Sequence, residues 1–136
     1  MLGVDLGTRR VGLAVSDPSG TLATPHGVLD RGDDPDADRR AIVAAARDLG
    51  ATRIVVGLPR SLSGREGPAA RAARAEVAAL RAAAGPELPV EVHDERFSTV
   101  VAERALAAGG RRRARRRPVD AAAAAVILQS YLESRR

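Results

Sequence analysis

Seventeen residues, Met1-Leu-Gly-Val-Asp-Leu-Gly-Thr-Arg-Arg-Val-Gly-Leu-Ala-Val-Ser-Asp17, limit what this chain can fold into more than any other stretch. Leu2 to Leu6 and Val11 to Val15 are short apolar runs that read as strands. Gly7, Thr8, Arg9 and Arg10 between them read as a tight turn, which makes the pair a β-hairpin. Asp5 sits inside the first strand, between Val4 and Leu6. A strand beginning at Met1 and flanked by another is expected near the middle of a sheet. A carboxylate there is costly to bury without a positive partner. It is either a hydrogen-bonded structural acid or a metal-binding or catalytic one, and the rest of the chain has to supply its partners.

The length, 136 residues, predicts one domain over residues 1–136. No apolar stretch approaches the ~18 residues of a membrane span. No basic segment followed by an apolar one opens the chain, so no signal peptide is expected. Cysteine is absent, which removes disulfides and thiolate chemistry and suits a cytoplasmic protein. His26 and His93 are the only histidines, so any metal is expected to be hard and oxygen-bound. All 22 basic residues are arginine, a coding bias that weakens arginine as a phosphate signal. Their placement says more: residues 1–68 hold 9 Arg and 9 acids, whereas residues 69–136 hold 13 Arg and 8 acids. A basic excess confined to one half favours a polyanionic partner, although a merely soluble surface would look the same.

Asp17-Pro18-Ser19-Gly20 reads as a turn, followed by a third strand over 21–29. The acidic run 30–38 lacks EF-hand spacing, and Asp34 or Asp36 is expected to cap a helix from Asp36 to Leu49. That helix presents Ile42, Val43, Ala46 and Leu49 on one face and stops at Gly50. Arg53 to Pro59 is a β-branched run expected to lie parallel to the first strand. A loop over 61–67 leads to a helix from Pro68 to Ala84, then a strand over 88–93. Ser98 or Thr99 caps a helix through Ala108. Arg111-Arg-Arg-Ala-Arg-Arg-Arg117 reads as a loop too charged to pack. The last helix runs from Val119 to Ser134, with Asp120 in its first turn on the face of Ala124, Ile127, Leu128 and Tyr131. The helix dipole alone would favour an acid there. This order predicts an α/β fold whose five-stranded mixed sheet joins a three-strand antiparallel meander to two parallel strands, flanked by helices.

Three acids stand out by position. Asp5 lies near the carboxyl end of a central strand, and Glu95, beside Asp94, lies just past the carboxyl end of a parallel strand. Asp120 can reach the same crevice, where open α/β sheets bind ligands. Carboxylates gathered without lysine repel one another, and divalent cations relieve that repulsion. Mg²⁺ or Mn²⁺ fits such oxygen ligands and suits phosphodiester hydrolysis, with two ions roughly 3.5–4 Å apart.

The chain resembles the YqgF/RuvX family, the Holliday-junction-resolvase-like proteins also described as pre-16S rRNA nucleases, within the RNase H-like superfamily. The resemblance covers essentially the whole chain. It rests on Gly3 to Asp17, on Ile54-Val-Val-Gly-Leu-Pro59 with Gly64, and on Asp94-Glu-Arg-Phe-Ser-Thr99. Val119-Asp120 with the alanines to Ala125, leading into Ile127-Leu-Gln-Ser-Tyr-Leu132, completes it. It implies an RNase H-like fold and a cytoplasmic role in maturing the 5′ end of 16S rRNA, with activity on branched or single-stranded nucleic acid. Carried over residue by residue, it implies Asp5, Glu95 and Asp120 as metal-binding catalytic acids, with Asp94 competing with Glu95. Arg9, Arg10 and Arg96 are placed for phosphate, unless they bridge the same carboxylates. Arg111, Arg112, Arg113, Arg115, Arg116 and Arg117 are placed for a nucleic-acid backbone, with steep salt dependence. Phe97 and Tyr131 are the only Phe, Tyr or Trp residues, so backbone or shape recognition is expected over base stacking.

Three readings follow. The first is a metal-dependent nuclease; the second is a non-catalytic nucleic-acid-binding ribosome-maturation factor. The third is an ATPase related through Gly3-Val-Asp-Leu-Gly-Thr8, which needs two such domains. A junction resolvase would act as a homodimer, since two strands are cut in concert.

Overall fold

The computed structural model of the protein describes residues 1–7, 9–58, 68–94 and 116–135. Five strands form one sheet: β1 (Leu2–Leu6), β2 (Arg10–Ser16), β3 (Ala23–Asp30), β4 (Ile54–Leu58) and β5 (Val90–Asp94). Their spatial order is β3-β2-β1-β4-β5, so β1 is central. β1 and β2 pair antiparallel, as do β2 and β3, whereas β4 runs parallel to β1 and β5 parallel to β4. This is the mixed sheet expected from the chain order. The helices described are α1 (Pro35–Asp48), α2 (Pro68–Ala84) and α3 (Arg116–Ser134).

Alternation along the strands sorts residues to two faces. Leu2, Val4, Val11, Leu13, Ile54, Val56 and Val90 pack in one cluster with Ile42, Val43 and Ala46 of α1 and Val77 and Leu80 of α2. Ala14 and Val55 pack on the other face with Ala124, Ala125, Leu128, Tyr131 and Leu132 of α3. The sheet is therefore sandwiched, with α3 on the face that also carries Gly3, Asp5 and Gly12.

Several boundaries differ from expectation, each for a local reason. β3 starts at Ala23, because the Asp17 carboxylate accepts the N–H groups of Thr21 (2.7 Å) and Leu22 (3.0 Å). α1 opens at Pro35, whose missing N–H is harmless in a first turn, with Asp34 as the cap. It closes one residue early: Leu49 is the cap, 40% exposed rather than on the buried face, and Gly50 takes φ +69°. β5 starts at Val90 because Leu88 is still in a turn, its N–H directed to the Gly85 carbonyl. α3 begins at Arg116 and not at Val119, since Pro118 is tolerated where helical N–H groups have no partner. Arg116 and Arg117 thus belong to a helix rather than to the arginine loop, and Asp120 lies beyond the first turn. The expected helix from 98 or 99 to 108 falls outside the described residues.

Candidate active site

Asp5 is the one charged side chain that is buried among the described residues, at 5% exposure. Its neighbours Val4 and Leu6 pack with the α1–α2 face, so alternation turns Asp5 to the face covered by α3. Asp5 is not without a partner in the fold, as a buried charge requires.

Directly across the β1–β2 ladder from Asp5 stands Gly12. A Cβ built on Gly12 would lie 2.1 Å from the Asp120 carbonyl oxygen and 2.6 Å from its carbon. The backbone of α3 therefore occupies the space a side chain would take, and it brings Asp120 to the sheet beside Asp5. Gly3 provides a second seat, where a Cβ would meet Leu128 Cβ at 2.7 Å and the Ala124 carbonyl at 3.1 Å. A glycine among β-branched strand neighbours is the sequence signal for such close approach. Gly12, between Val11 and Leu13, carries that signal.

Asp120 is half-buried, and its Oδ2 accepts a hydrogen bond from Arg10 Nε at 3.2 Å. Arg10 is two residues before Gly12 on β2, so it shares the α3 face and sits diagonally across the ladder from Asp5. The dipole explanation for Asp120 loses its footing, because no acid lies in the first turn of α3. Arg9 differs from Arg10: it is exposed in the hairpin turn, where its carbonyl accepts the Arg31 N–H at 2.9 Å. Of the two arginines proposed beside the acids here, Arg10 bridges one and Arg9 is left facing solvent.

The carboxyl ends of β1, β4 and β5 lie together, with Leu58 of β4 in register with Asp94 of β5. Glu95 is the next residue, and it lies outside the described residues. So do Arg96, Arg111, Arg112, Arg113 and Arg115. Arg116 and Arg117 are placed only as the opening residues of α3. Among the described residues no group of three metal-ligating side chains forms, so the described part of the site supplies two carboxylates, Asp5 and Asp120. His93 is occupied elsewhere: its Nε2 shares a hydrogen bond with Ser130 Oγ at 2.9 Å, and its ring meets Tyr131 edge-on at 5.9 Å between centroids. Tyr131 also anchors the far end of α3. Its hydroxyl donates to the Glu91 carboxylate and accepts from Arg53 Nη1 (2.8 Å) and Arg135 Nη1 (2.7 Å). That aromatic ring is structural and does not offer a base-stacking surface.

A buried acid at the carboxyl end of a central strand, facing a helix that delivers a second acid, defines an acidic-site protein on an RNase H-like sheet. The chain aligns over 98% of its length with Thermus thermophilus RuvC, a structure solved with a Holliday junction substrate, at TM-score 0.57 and 20% identity over 93% of that chain. A second Thermus thermophilus RuvC structure gives TM-score 0.55 at 16% identity, covering 98% and 94% of the two chains. These matches establish the fold. The family model described as "RuvX: Holliday junction resolvase" matches residues 1–134, and the chain belongs to that family. Relatives bearing the name "Putative pre-16S rRNA nuclease" include one from Kineococcus radiotolerans, 50% identical over 99% of this chain and 72% of its own length. Another, from a Nocardioides species, is 51% identical over 77% of this chain and 68% of its own. A Mycobacterium relative is 44% identical over 99% and 80%.

Proposed function

We propose that this protein is a metal-dependent nuclease that hydrolyses phosphodiester bonds in RNA or DNA. Its physiological role is read as 5′-end processing of 16S rRNA in the cytoplasm, with branched or single-stranded DNA as further substrates. The carrying observation is that α3 seats the Asp120 backbone over Gly12, the ladder partner of buried Asp5. The family's resolvase description and the names of the relatives point the same way. Asp5 and Asp120 present hard oxygen donors and no competing thiolate, a donor set that fits Mg²⁺ or Mn²⁺. Glu95 is assigned as the third ligand. A bound divalent cation would supply Lewis-acid stabilisation of the charge that develops on the phosphodiester, and would make water a better nucleophile at neutral pH. The burial of Asp5 keeps its carboxylate fixed, so little reorganisation is needed on binding. Arg9, Arg10 and Arg96 are assigned to the phosphates at the cut, and the arginines from 111 to 117 to the flanking backbone.

The test is cleavage of labelled precursor rRNA and of a four-way DNA junction, with Mg²⁺, Mn²⁺ or EDTA, by the wild type and by Asp5→Asn. The expected result is cation-dependent product that the substitution abolishes while the folded circular-dichroism spectrum survives. Cleavage indifferent to EDTA and to D5N would overturn the proposal. Tight binding that persists in EDTA, with no product under any condition, would instead mark a non-catalytic maturation factor. Cutting of junctions predicts a dimer, which light scattering on the protein with and without junction would detect.

A further inference from the structure

We propose that Arg10 is a displaceable counter-ion: it holds Asp120 until a divalent cation binds, and is then released toward the substrate phosphate. The inference rests on the reading that Asp5 and Asp120 hold the cation.

The two residues are 110 positions apart, yet Arg10 Nε donates to Asp120 Oδ2 at 3.2 Å. Among the described residues this is the hydrogen bond the Asp120 side chain receives. The pair is one bond wide, not the bidentate fork that makes arginine–carboxylate pairs hard to separate. Arg39 and Glu76, which join α1 to α2, form such a fork, with Nη2–Oε2 at 2.8 Å and Nε–Oε1 at 3.3 Å. Arg10 and Asp120 are 18% and 23% exposed, so solvent and ions can reach them.

Geometry makes coexistence unfavourable. Arg10, Gly12 and Asp5 occupy adjacent and diagonal positions on one face of the β1–β2 ladder. A cation held by Asp5 and Asp120 would compete with Arg10 for the Asp120 carboxylate. A guanidinium beside a doubly charged ion is repelled, and both carboxylates of the described site, Asp5 and Asp120, would then be engaged by the cation. Cation entry and Arg10 release are therefore one event. The freed guanidinium stays at the crevice mouth, tethered to β2, with donors matched to phosphate oxygens. Substrate attraction at this point is thereby coupled to metal loading.

The experiment is Mg²⁺ titration of the full chain by NMR, following the Arg10 Nε–Hε signal, assigned by its loss in Arg10→Gln. The expected result is a protected signal in the metal-free protein that moves on saturation with Mg²⁺. Its end point should approach the position it takes in metal-free Asp120→Asn. R10Q should bind Mg²⁺ more tightly, by roughly three- to tenfold, as both the pair and the repulsion are gone. An Arg10 signal unmoved at saturation, while the Asp5 and Gly12 amides shift, would overturn the counter-ion role and leave the metal site standing. Unchanged or weaker Mg²⁺ binding by R10Q would do the same. Absence of any shift at Asp5, Gly12 or Asp120 would refute the metal site itself, and the proposal with it. Should R10Q fail to fold, Arg10→Lys, which also lacks the Nε–Hε group, assigns the signal, and comparison of the wild type with D120N decides it.

Discussion

Gly12→Ala is the sharpest perturbation of this site, because it adds one methyl group and changes no charge. The new Cβ would stand 2.1 Å from the Asp120 carbonyl oxygen, 2.6 Å from its carbon and 3.3 Å from Ala121 N, where ordinary contact begins near 3.4 Å. All three atoms are backbone, so no rotamer change relieves them. The second turn of α3 has to lift by about 1 Å or more. Overpacking of this kind costs about 1–3 kcal/mol. Restricting the unfolded chain offsets about 0.4–1 kcal/mol of that, and Gly12 is not among the glycines with positive φ, so alanine adds no backbone strain. The expected net loss of ~1–2 kcal/mol lowers Tm by roughly 3–8 °C in a domain of this size. Cleavage suffers more, since a displacement near 1 Å can cost about 100-fold in rate. Single-turnover cleavage with Mn²⁺, well below the Tm, should show that separation of rate from stability. Gly27→Ala is the control: a Cβ there meets nothing within 4 Å. It should stay within ~0.5 kcal/mol of wild type and keep full activity. Wild-type Tm and rate in G12A would refute the docking geometry. A lowered Tm with full rate would refute the role of Asp120 while leaving the docking intact.

Gly3→Ala should also destabilise, because its Cβ meets Leu128 Cβ at 2.7 Å. That contact is two turns along α3 from Asp120, so at matched Tm loss its cleavage rate should exceed that of G12A; equal rates would show that the helix moves as a rigid whole. Asp17 offers a pH test. Hydrogen bonds from the Ser19 hydroxyl first, then from the Leu22 amide and from Thr21, hold its carboxyl far below its ordinary 3.8. The folded value is depressed, so the stabilisation is complete above about pH 4 and is lost as pH falls toward the folded value. Urea melts should therefore show Asp17→Asn weaker than wild type near pH 6, with the gap narrowing by about pH 3. A gap independent of pH would contradict this assignment.

Asp5, the hairpin and the parallel strands were legible because each depends on local pattern. Short apolar runs mark the strands, and a single acid inside one of them stands out. Asp120 was legible as a core-facing acid, since Ala124, Leu128 and Tyr131 repeat at helical spacing and are buried. What the pattern could not show was why Asp120 arrives beside Asp5. That depends on Gly12, and a missing side chain leaves no hydrophobic signal. The start of α3 was misplaced because a proline read as a helix boundary can equally sit inside a first turn. Leu49 was assigned to the core by periodicity alone, which does not register that the chain turns at Gly50 and leaves the residue exposed.

The make-up of α3 explains why so much rests on two glycines. Its first turns offer the sheet mainly alanine, with Ala124 and Ala125 packed there ahead of Leu128, Tyr131 and Leu132. A buried methyl contributes little, about 0.8 kcal/mol, against about 1.5–3 kcal/mol for a leucine. Small side chains hold a helix firmly only if its backbone comes close, and Gly3 and Gly12 allow that approach. The far end is fixed separately, by the Tyr131 hydroxyl among Glu91, Arg53 and Arg135. With seats at Gly3 and Gly12 and an anchor at Tyr131, the helix axis has little freedom. The Asp120 backbone is fixed in consequence, while its side chain is restrained in the described structure by Arg10 alone. A rigid helix carrying one acid on a single breakable ion pair suits a site that must change ligands without moving its frame.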